Sequence, residues 1–207
     1  MNRILLTGAT GFIGSHVLAA LVAQGDTVVA VVRPGSDTWR IKDFLNHPKV
    51  TVCGATEADL SAAFKVASID CVVHVATKYI KQHTTAAEVT EMIDANVAWP
   101  GMLLELMRQH GVTKLVSTGT FFEYDLQGKN VLTETSPLLP YNVYARTKLQ
   151  FDDLVKDYVR TAGFTVAHLR LFAPYGPGDN PKFIPYVITN LLQGKPVELT
   201  PGEQRWN

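Results

Sequence analysis

Cysteine is almost missing from this chain: Cys53 and Cys71 are the only two in 207 residues. Two thiols cannot build a disulfide framework, so a reducing cytoplasm is the expected compartment. Net charge is missing too, with 19 Lys+Arg against 19 Asp+Glu. That balance speaks against a nucleic-acid binder working through a basic face and against a polybasic membrane clamp. Long apolar runs are lacking; Val28-Val29-Ala30-Val31-Val32 is far short of the ~18 residues a membrane span needs. Ile4-Leu5-Leu6 is cut short by Thr7-Gly8, so no signal peptide is expected there. Internal repeats, charge runs and low-complexity tracts are absent as well. What remains is 46% apolar and 18% charged, the composition of a soluble globular protein with a sizeable core. The length suits one domain, or one plus a fragment.

Short β-branched runs alternate with stretches of helical period. The pattern predicts strands over Arg3–Thr7, Thr27–Val32, Val50–Cys53, Asp70–Val75, Thr113–Ser117 and Thr165–Leu171. Several are apolar throughout, as parallel strands covered on both faces are. Helices are predicted over Ile13–Gln24, Ala86–His110, Asn142–Ala162 and Phe183–Gln193. Gly25, Gly111 and Gly163 each follow a helix where a left-handed cap is wanted. This alternation predicts an α/β fold, a Rossmann-type doubly wound parallel sheet with helices on both faces. Ligands in such sheets bind beyond the carboxyl ends of the strands. Past residue 172 Gly and Pro become dense (Pro174, Gly176, Pro177, Gly178, Pro181, Pro185). The expected division is a regular layer over 1–172 and the start of a substrate-facing lobe over 173–207. Gln204-Arg205-Trp206-Asn207 carries no cap or polar tail, so the native chain is expected to continue.

The strongest local signal is Thr7-Gly8-Ala9-Thr10-Gly11-Phe12-Ile13-Gly14, between the first strand and a helix. Gly8 suits a tight turn, Gly11 a close backbone approach to a pyrophosphate, and Gly14 close packing of helix on sheet. The free N–H groups and positive end of the helix then face the phosphates. The alternative is a tight turn with no ligand. An NAD site usually carries an acid at the end of the second strand; here Val32-Arg33-Pro34-Gly35-Ser36 holds none before Asp37. Arg33 offers a planar fork for a 2′-phosphate and Ser36 a hydroxyl donor, which favours NADP(H) and leaves NAD(H) open. Alternatively Arg33 merely opens a solvated loop.

Tyr144-Ala145-Arg146-Thr147-Lys148 puts a phenol and an ammonium four residues apart on one helical face. A surface pair of no consequence has the same spacing, but this pair follows the fifth strand on the side where a cofactor is expected. With the TGATGFIG opening come Asp59-Leu60, His74-Val75-Ala76, Asn96-Val97, Ser117-Thr118, the YxxxK pair and Leu169-Arg170-Leu171-Phe172, in that order. In this series the chain resembles the extended short-chain dehydrogenases/reductases, the NAD(P)-dependent epimerase/dehydratase family, over its whole length.

The resemblance implies an NAD(P)-dependent oxidoreductase with Thr118, Tyr144 and Lys148 as catalytic residues. Tyr144 would exchange a proton with a substrate C–OH or C=O, its phenolate favoured by the Lys148 ammonium and an oxidised nicotinamide. Lys148 would also bond the nicotinamide ribose. Thr118 would orient the substrate oxygen, with Thr120 as the alternative. The cofactor would lie along Gly8, Gly11, Phe12, Ile13 and Gly14, then Arg33 and Ser36, with Val75, Ala76, Thr77 and Lys78 following the pyrophosphate and ribose. Asp59 and Leu60 would meet the adenine, unless they are a helix N-cap and a core residue. Asn96 and Phe172 would also lie near the cofactor. Pro100, four residues past Asn96, predicts a kink that frees the Asn96 carbonyl. His74 reads as a packed histidine, and the histidines lack metal-ligand spacing, so no metal is expected.

The tail Tyr175-Gly176-Pro177, Pro181-Lys182-Phe183 and Gly194-Lys195-Pro196 resembles the nucleotide-sugar branch, which implies a nucleotide-sugar substrate with Lys182 and Phe183 near its diphosphate. Relatives that dehydrate sugars follow the catalytic Thr with an Asp-Glu pair; Gly119 and Thr120 stand in those places, so elimination is not expected. Many relatives carry Asn where this chain has Ala173. A 4-ketoreductase using NADPH is the favoured reading. A 4-epimerase, a small ketone or aldehyde reductase and a silent NADP sensor are the alternatives. No nucleic-acid or membrane partner is expected, and a homodimer is the assembly to test.

Overall fold

The computed structural model describes residues 1–127, 131–180 and 182–201. Six strands form one parallel sheet: β1 Arg3–Thr7, β2 Thr27–Val31, β3 Val50–Cys53, β4 Cys71–His74, β5 Lys114–Thr120 and β6 Thr165–Leu171, in the order β3-β2-β1-β4-β5-β6. All pairings are parallel, with Leu5 opposite Val29 on one side and Val72 on the other. Successive side chains point to opposite faces. Leu5, Val29, Val31, Val72 and Leu115 therefore join one core and Leu6, Val28 and Ala30 the other. Runs that read as continuous apolar stretches are continuous because both faces are covered.

The helices are α1 Phe12–Ala23, α2 Glu57–Ala67, α3 Ala86–Ile93, α4 Trp99–Gln109, α5 Val143–Ala162 and α6 Phe183–Leu192. Leu18 of α1 packs into the Leu6 core; Leu103, Leu104 and Met107 of α4 and Phe151 and Val155 of α5 pack into the Leu5 core. Gly25, Gly111 and Gly163 all stand at positive φ, as their capping role asks. Among the described residues no helix is long and apolar enough to cross a membrane.

Three expectations need correction. The helix read over Ala86–His110 is interrupted by a π turn at Asp94–Ala98, where the Trp99 N–H bonds the Asp94 carbonyl. Pro100 has no N–H for the carbonyl four residues back, and a widened turn accommodates the lost bond. Secondly, β5 runs on to Thr120, so Ser117 and Thr118 lie within the strand rather than after it. Gly119 pairs with Arg170 there, and a Cβ on it would stand 2.5 Å from His168 Nε2 and 2.6 Å from Glu123 Oε1. A side chain at 119 would have no room. Thirdly, α2 was not anticipated; Thr56 caps it, and Asp59 is its third residue, completing a capping box. The expected substrate-facing segment begins just past β6, and its α6 buries no residue. Pro181 and Gln204-Arg205-Trp206-Asn207 lie outside the described residues.

Candidate active site

The carboxyl ends of β1, β2 and β4 open onto a cavity of about 600 Å³. The turn between β1 and α1 forms its floor. Gly8 sits at φ +73, and a Cβ there would meet Ala76 N at 2.6 Å. A side chain is thus strained by its backbone and blocked by the loop after β4. At Gly14 a Cβ would collide with the Gly8 carbonyl and stand 3.0 Å from Ala9 Cα, so the first turn of α1 rests directly on the glycine loop. Gly11 caps α1 without any side-chain hydrogen bond, and no acidic residue occupies the first turn. The helix therefore presents uncapped N–H groups and its positive end to the cavity. A loop stripped of side chains beneath free backbone donors fits a pyrophosphate, and with it a dinucleotide.

Gly8, Gly11, Phe12, Ile13, Gly14, Arg33, Ser36, Val75, Ala76, Thr77, Lys78 and Lys182 all line the cavity. Asp59 and Leu60 do not. The Asp59 carboxylate accepts from the Thr56 hydroxyl at 2.6 Å, and Leu60 is fully buried in the core. Phe172 stacks on Phe121 with ring centroids 5.5 Å apart, and Phe183 is largely exposed; neither belongs to the cavity wall. Ala173 stands at φ +40, the left-handed region that Asn tolerates better than Ala.

Tyr144 and Lys148 lie one turn apart on α5, both buried. They are tied to the cavity through Asn96, itself buried in the π turn. Asn96 Oδ1 accepts from the Lys78 N–H at 2.7 Å and the Thr77 hydroxyl at 3.1 Å. Its Nδ2 donates to the Lys78 carbonyl at 2.9 Å and to Thr147 Oγ1 at 3.0 Å. The Thr147 hydroxyl in turn donates to the Tyr144 carbonyl at 2.7 Å. Asn96 thus acts through its side chain, clamping the loop after β4 to the helix that carries Tyr144.

Burial pushes the Tyr144 phenol up to about 12, against a lowering hydrogen bond with Thr77. Burial likewise pulls the Lys148 ammonium down to about 8, against the opposing field of Glu123. In the protein by itself burial dominates, which favours the neutral phenol at Tyr144. The edge of the Tyr79 ring packs against it at 4.8 Å. On β5 the two hydroxyl candidates part. The Thr120 side chain accepts from the Phe122 N–H, while its own N–H donates to Glu123 Oε1 at 2.8 Å. Among the described residues Thr118 Oγ1 has no such engagement. Glu123 is wholly buried and locked to Arg170 Nε at 2.6 Å.

Residues the sequence did not single out also matter. Thr7 Oγ1 accepts from the N–H groups of Val75 and Ala76, both at 3.2 Å, and pairs with His74 Nδ1 at 2.8 Å. Asp179 and Asn180 reach the cavity from beyond β6. A threonine closing an apolar strand is a weak signal, and nothing local marks Asp179.

The model of the NAD dependent epimerase/dehydratase family matches residues 4–207. CDP-abequose synthase of Salmonella typhimurium is 32% identical, over 97% of this chain and 63% of that protein. Its Salmonella muenchen namesake is 29% identical over 99% and 64%. UDP-glucose 4-epimerase 4 of Oryza sativa is 30% identical over 97% and 58%. The chain thus spans less than two thirds of the length of these relatives. Among solved structures, the dTDP-glucose 4,6-dehydratase DesIV of Streptomyces venezuelae with NAD bound is 29% identical with a TM-score of 0.78, over 93% of this chain and 62% of that one. The UDP-glucuronic acid 4-epimerase of Bacillus cereus in complex with NAD is 26% identical with a TM-score of 0.77, over 94% and 65%.

Proposed function

Since the chain belongs to the NAD dependent epimerase/dehydratase family, we propose that it serves an NAD(P)-dependent oxidoreductase of nucleotide-linked sugars, with reduction of a 4-keto group as its reaction. Residues 1–172 hold the dinucleotide in this reading, and 173–207 open the sugar-binding lobe, with Lys182 and Phe183 toward the diphosphate.

The observation that carries the reading is the buried Tyr144–Lys148 pair, one turn apart on α5 and clamped by Asn96 to the cavity loop. A neutral phenol is a proton donor. When bound, the nicotinamide supplies the hydride. As negative charge then grows on the substrate oxygen, Tyr144 gives it a proton and Thr118 gives it a hydrogen bond. Lys148, buried one turn along α5 from Tyr144, would hold the nicotinamide ribose. Thr120 already serves the turn after β5, which supports Thr118 as the active hydroxyl. Elimination of water is unsupported: the place for an acid at Gly119 is closed by His168 and Glu123, and Glu123 is held by Arg170.

NADPH is the proposed reductant, because Arg33 and Ser36 line the cavity where the second strand ends without an acid. Two relatives named as CDP-abequose synthases support a sugar linked to a nucleotide. The second reading is 4-epimerisation, favoured by the 4-epimerases among the relatives and by NAD in the solved neighbours. The proposed setting is the cytoplasm, where Cys53 and Cys71 stay free thiols. A panel of CDP-, dTDP-, UDP- and GDP-4-keto sugars mixed with NADPH decides between the two. Loss of NADPH absorbance with one nucleotide series is expected. Interconversion of 4-epimers without added reductant, and no NADPH consumption, would establish the second reading instead.

A further inference from the structure

The cavity has two ends, and the one away from Tyr144 is walled by an indole. Thr77, Lys78 and Tyr79 follow β4, and Tyr79 touches Tyr144. On the other side of β1 in the sheet, Val31, Arg33 and Ser36 close β2 and Ala55 follows β3. Trp99 lines the cavity too, and its Nε1 donates to the Ala55 carbonyl at 2.8 Å. That bond ties the ring to the loop after β3. Toward the sheet the indole stacks on the buried His74 ring, 27° from parallel with centroids 6.1 Å apart. It packs against the Leu5 core but is only partly buried there. Ala95 and Trp99 both reach the cavity wall across the π turn at Asp94–Ala98. Such a turn adds one residue and swings the side chains beyond it onto a new face.

This end offers a flat occupant much to stack on and little to bond. Val31, Ala55, Val75, Ala95 and Trp99 give it an apolar wall. The Asp59 carboxylate is held in the Thr56 cap, and the Ala55 carbonyl receives the indole N–H. Of the acids on the α3 side, Glu91 pairs with Lys78 at 2.6 Å and Asp94 is exposed to water. On the dinucleotide reading, on which this step rests, the pyrophosphate lies over the glycine loop and the nicotinamide reaches toward Tyr144. The base then lies at the opposite end, beside Trp99. Purines stack on aromatic side chains through their π faces, whatever groups their edges carry.

We propose that Trp99 is a ligand-binding residue that receives the face of the adenine ring, so that the base is held by stacking and not by a carboxylate on its 6-amino group. A site of this kind answers to the π surface of the base and is indifferent to that amino group.

The test is titration of the full chain, by calorimetry and by tryptophan fluorescence, with NAD, its hypoxanthine analogue, ADP-ribose and nicotinamide mononucleotide. ADP-ribose, which keeps the base, should quench the fluorescence; nicotinamide mononucleotide, which lacks it, should not. The hypoxanthine analogue replaces the amino group but keeps the π face, and should bind within about twofold of NAD. Trp99→Leu fills space without a π face and should weaken ADP-ribose and NAD by about tenfold. Trp99→Phe should keep most of the affinity and lose the quench, assigning it to this indole among the three in the chain. Trp99→Leu binding as before, no quench by ADP-ribose, or a tenfold loss with hypoxanthine overturns the assignment while leaving the cofactor reading intact. An unmodified protein that binds neither NAD nor NADP overturns both. The quench and hypoxanthine comparisons use the unmodified protein, so they need no variant to fold.

Discussion

Acidifying the protein should destabilise it through one buried histidine, His74. His74 is buried between Trp99 and Phe151, with ring centroids at 6.1 and 5.2 Å. Thr7 Oγ1 already accepts two backbone N–H groups, so its hydroxyl proton goes to His74 Nδ1, and the ring proton sits on Nε2, which has no partner. Burial, reinforced by the Lys148 charge, pulls His74 from 6.5 down to about 3. Between those two values the unfolded chain binds a proton that the folded one refuses. Stability contributed by the neutral ring is therefore whole above about pH 6.5 and falls as pH drops toward 3. By pH 5, about 1.5 units below the unfolded value, the loss is about 2 kcal/mol. That figure needs only a folded value well under 5. Urea unfolding at pH 7.5 and pH 5 measures it, with His74→Asn as the reference that keeps an acceptor for Thr7 and does not titrate. The unmodified protein should lose about 2 kcal/mol more than the variant over that interval. Equal losses would show that His74 takes up its proton in place, and the desolvation argument would fail.

Tyr144→Phe should keep dinucleotide binding and lower keto-sugar turnover by ~100-fold or more, read as single-turnover NADPH oxidation; near-full activity would make the pair with Lys148 incidental. Arg33→Ala should abolish most of the preference for NADP over NAD, measured as the ratio of their dissociation constants, and equal affinities before mutation would sink the NADPH reading. Thr118→Val should slow the chemical step by roughly 2–4 kcal/mol under saturating cofactor. Thr120→Val, which strips a cap from the Phe122 N–H, should instead cost ~1 kcal/mol of stability and spare turnover; the reverse pattern would exchange their roles.

The sheet is legible in the sequence because buried parallel strands write themselves as apolar runs: all six expected strands overlap observed ones. The glycine loop is equally legible at Gly14, which answers to Gly8 and Ala9 within one strand–turn–helix unit, whereas the crowding at Gly8 comes from Val75 and Ala76 after β4. What local reasoning cannot reach is decided by partners far along the chain. The strand expected to end at Ser117 runs on through Gly119 and Thr120, which pair with Arg170 and Leu171 of β6. Helix α2 did leave a signal, the Thr56–Asp59 capping box, but an acid after a strand reads equally well as a ligand contact.

The same division runs through the active site. Residue types were legible at Tyr144, Lys148 and Asn96, while the physical role of each depends on burial. Burial raises a phenol's pKa as a separate effect from any neighbouring charge, and in this protein by itself it pushes Tyr144 up to about 12, which favours a proton donor. For Asn96, Pro100 correctly signals a disturbed helix, but the consequence lies in the side chain. Its two donor and two acceptor contacts join Thr77 and Lys78, which line the cavity, to Thr147, which stands between Tyr144 and Lys148. A shift of either element breaks that set, so the distance between the dinucleotide and the proton donor is held by one buried amide. The rest of the site is equally indirect. Asp179 lies 139 residues beyond Arg40, the side chain that pins its neighbours Gly178 and Asn180. Only the closed sheet brings them together.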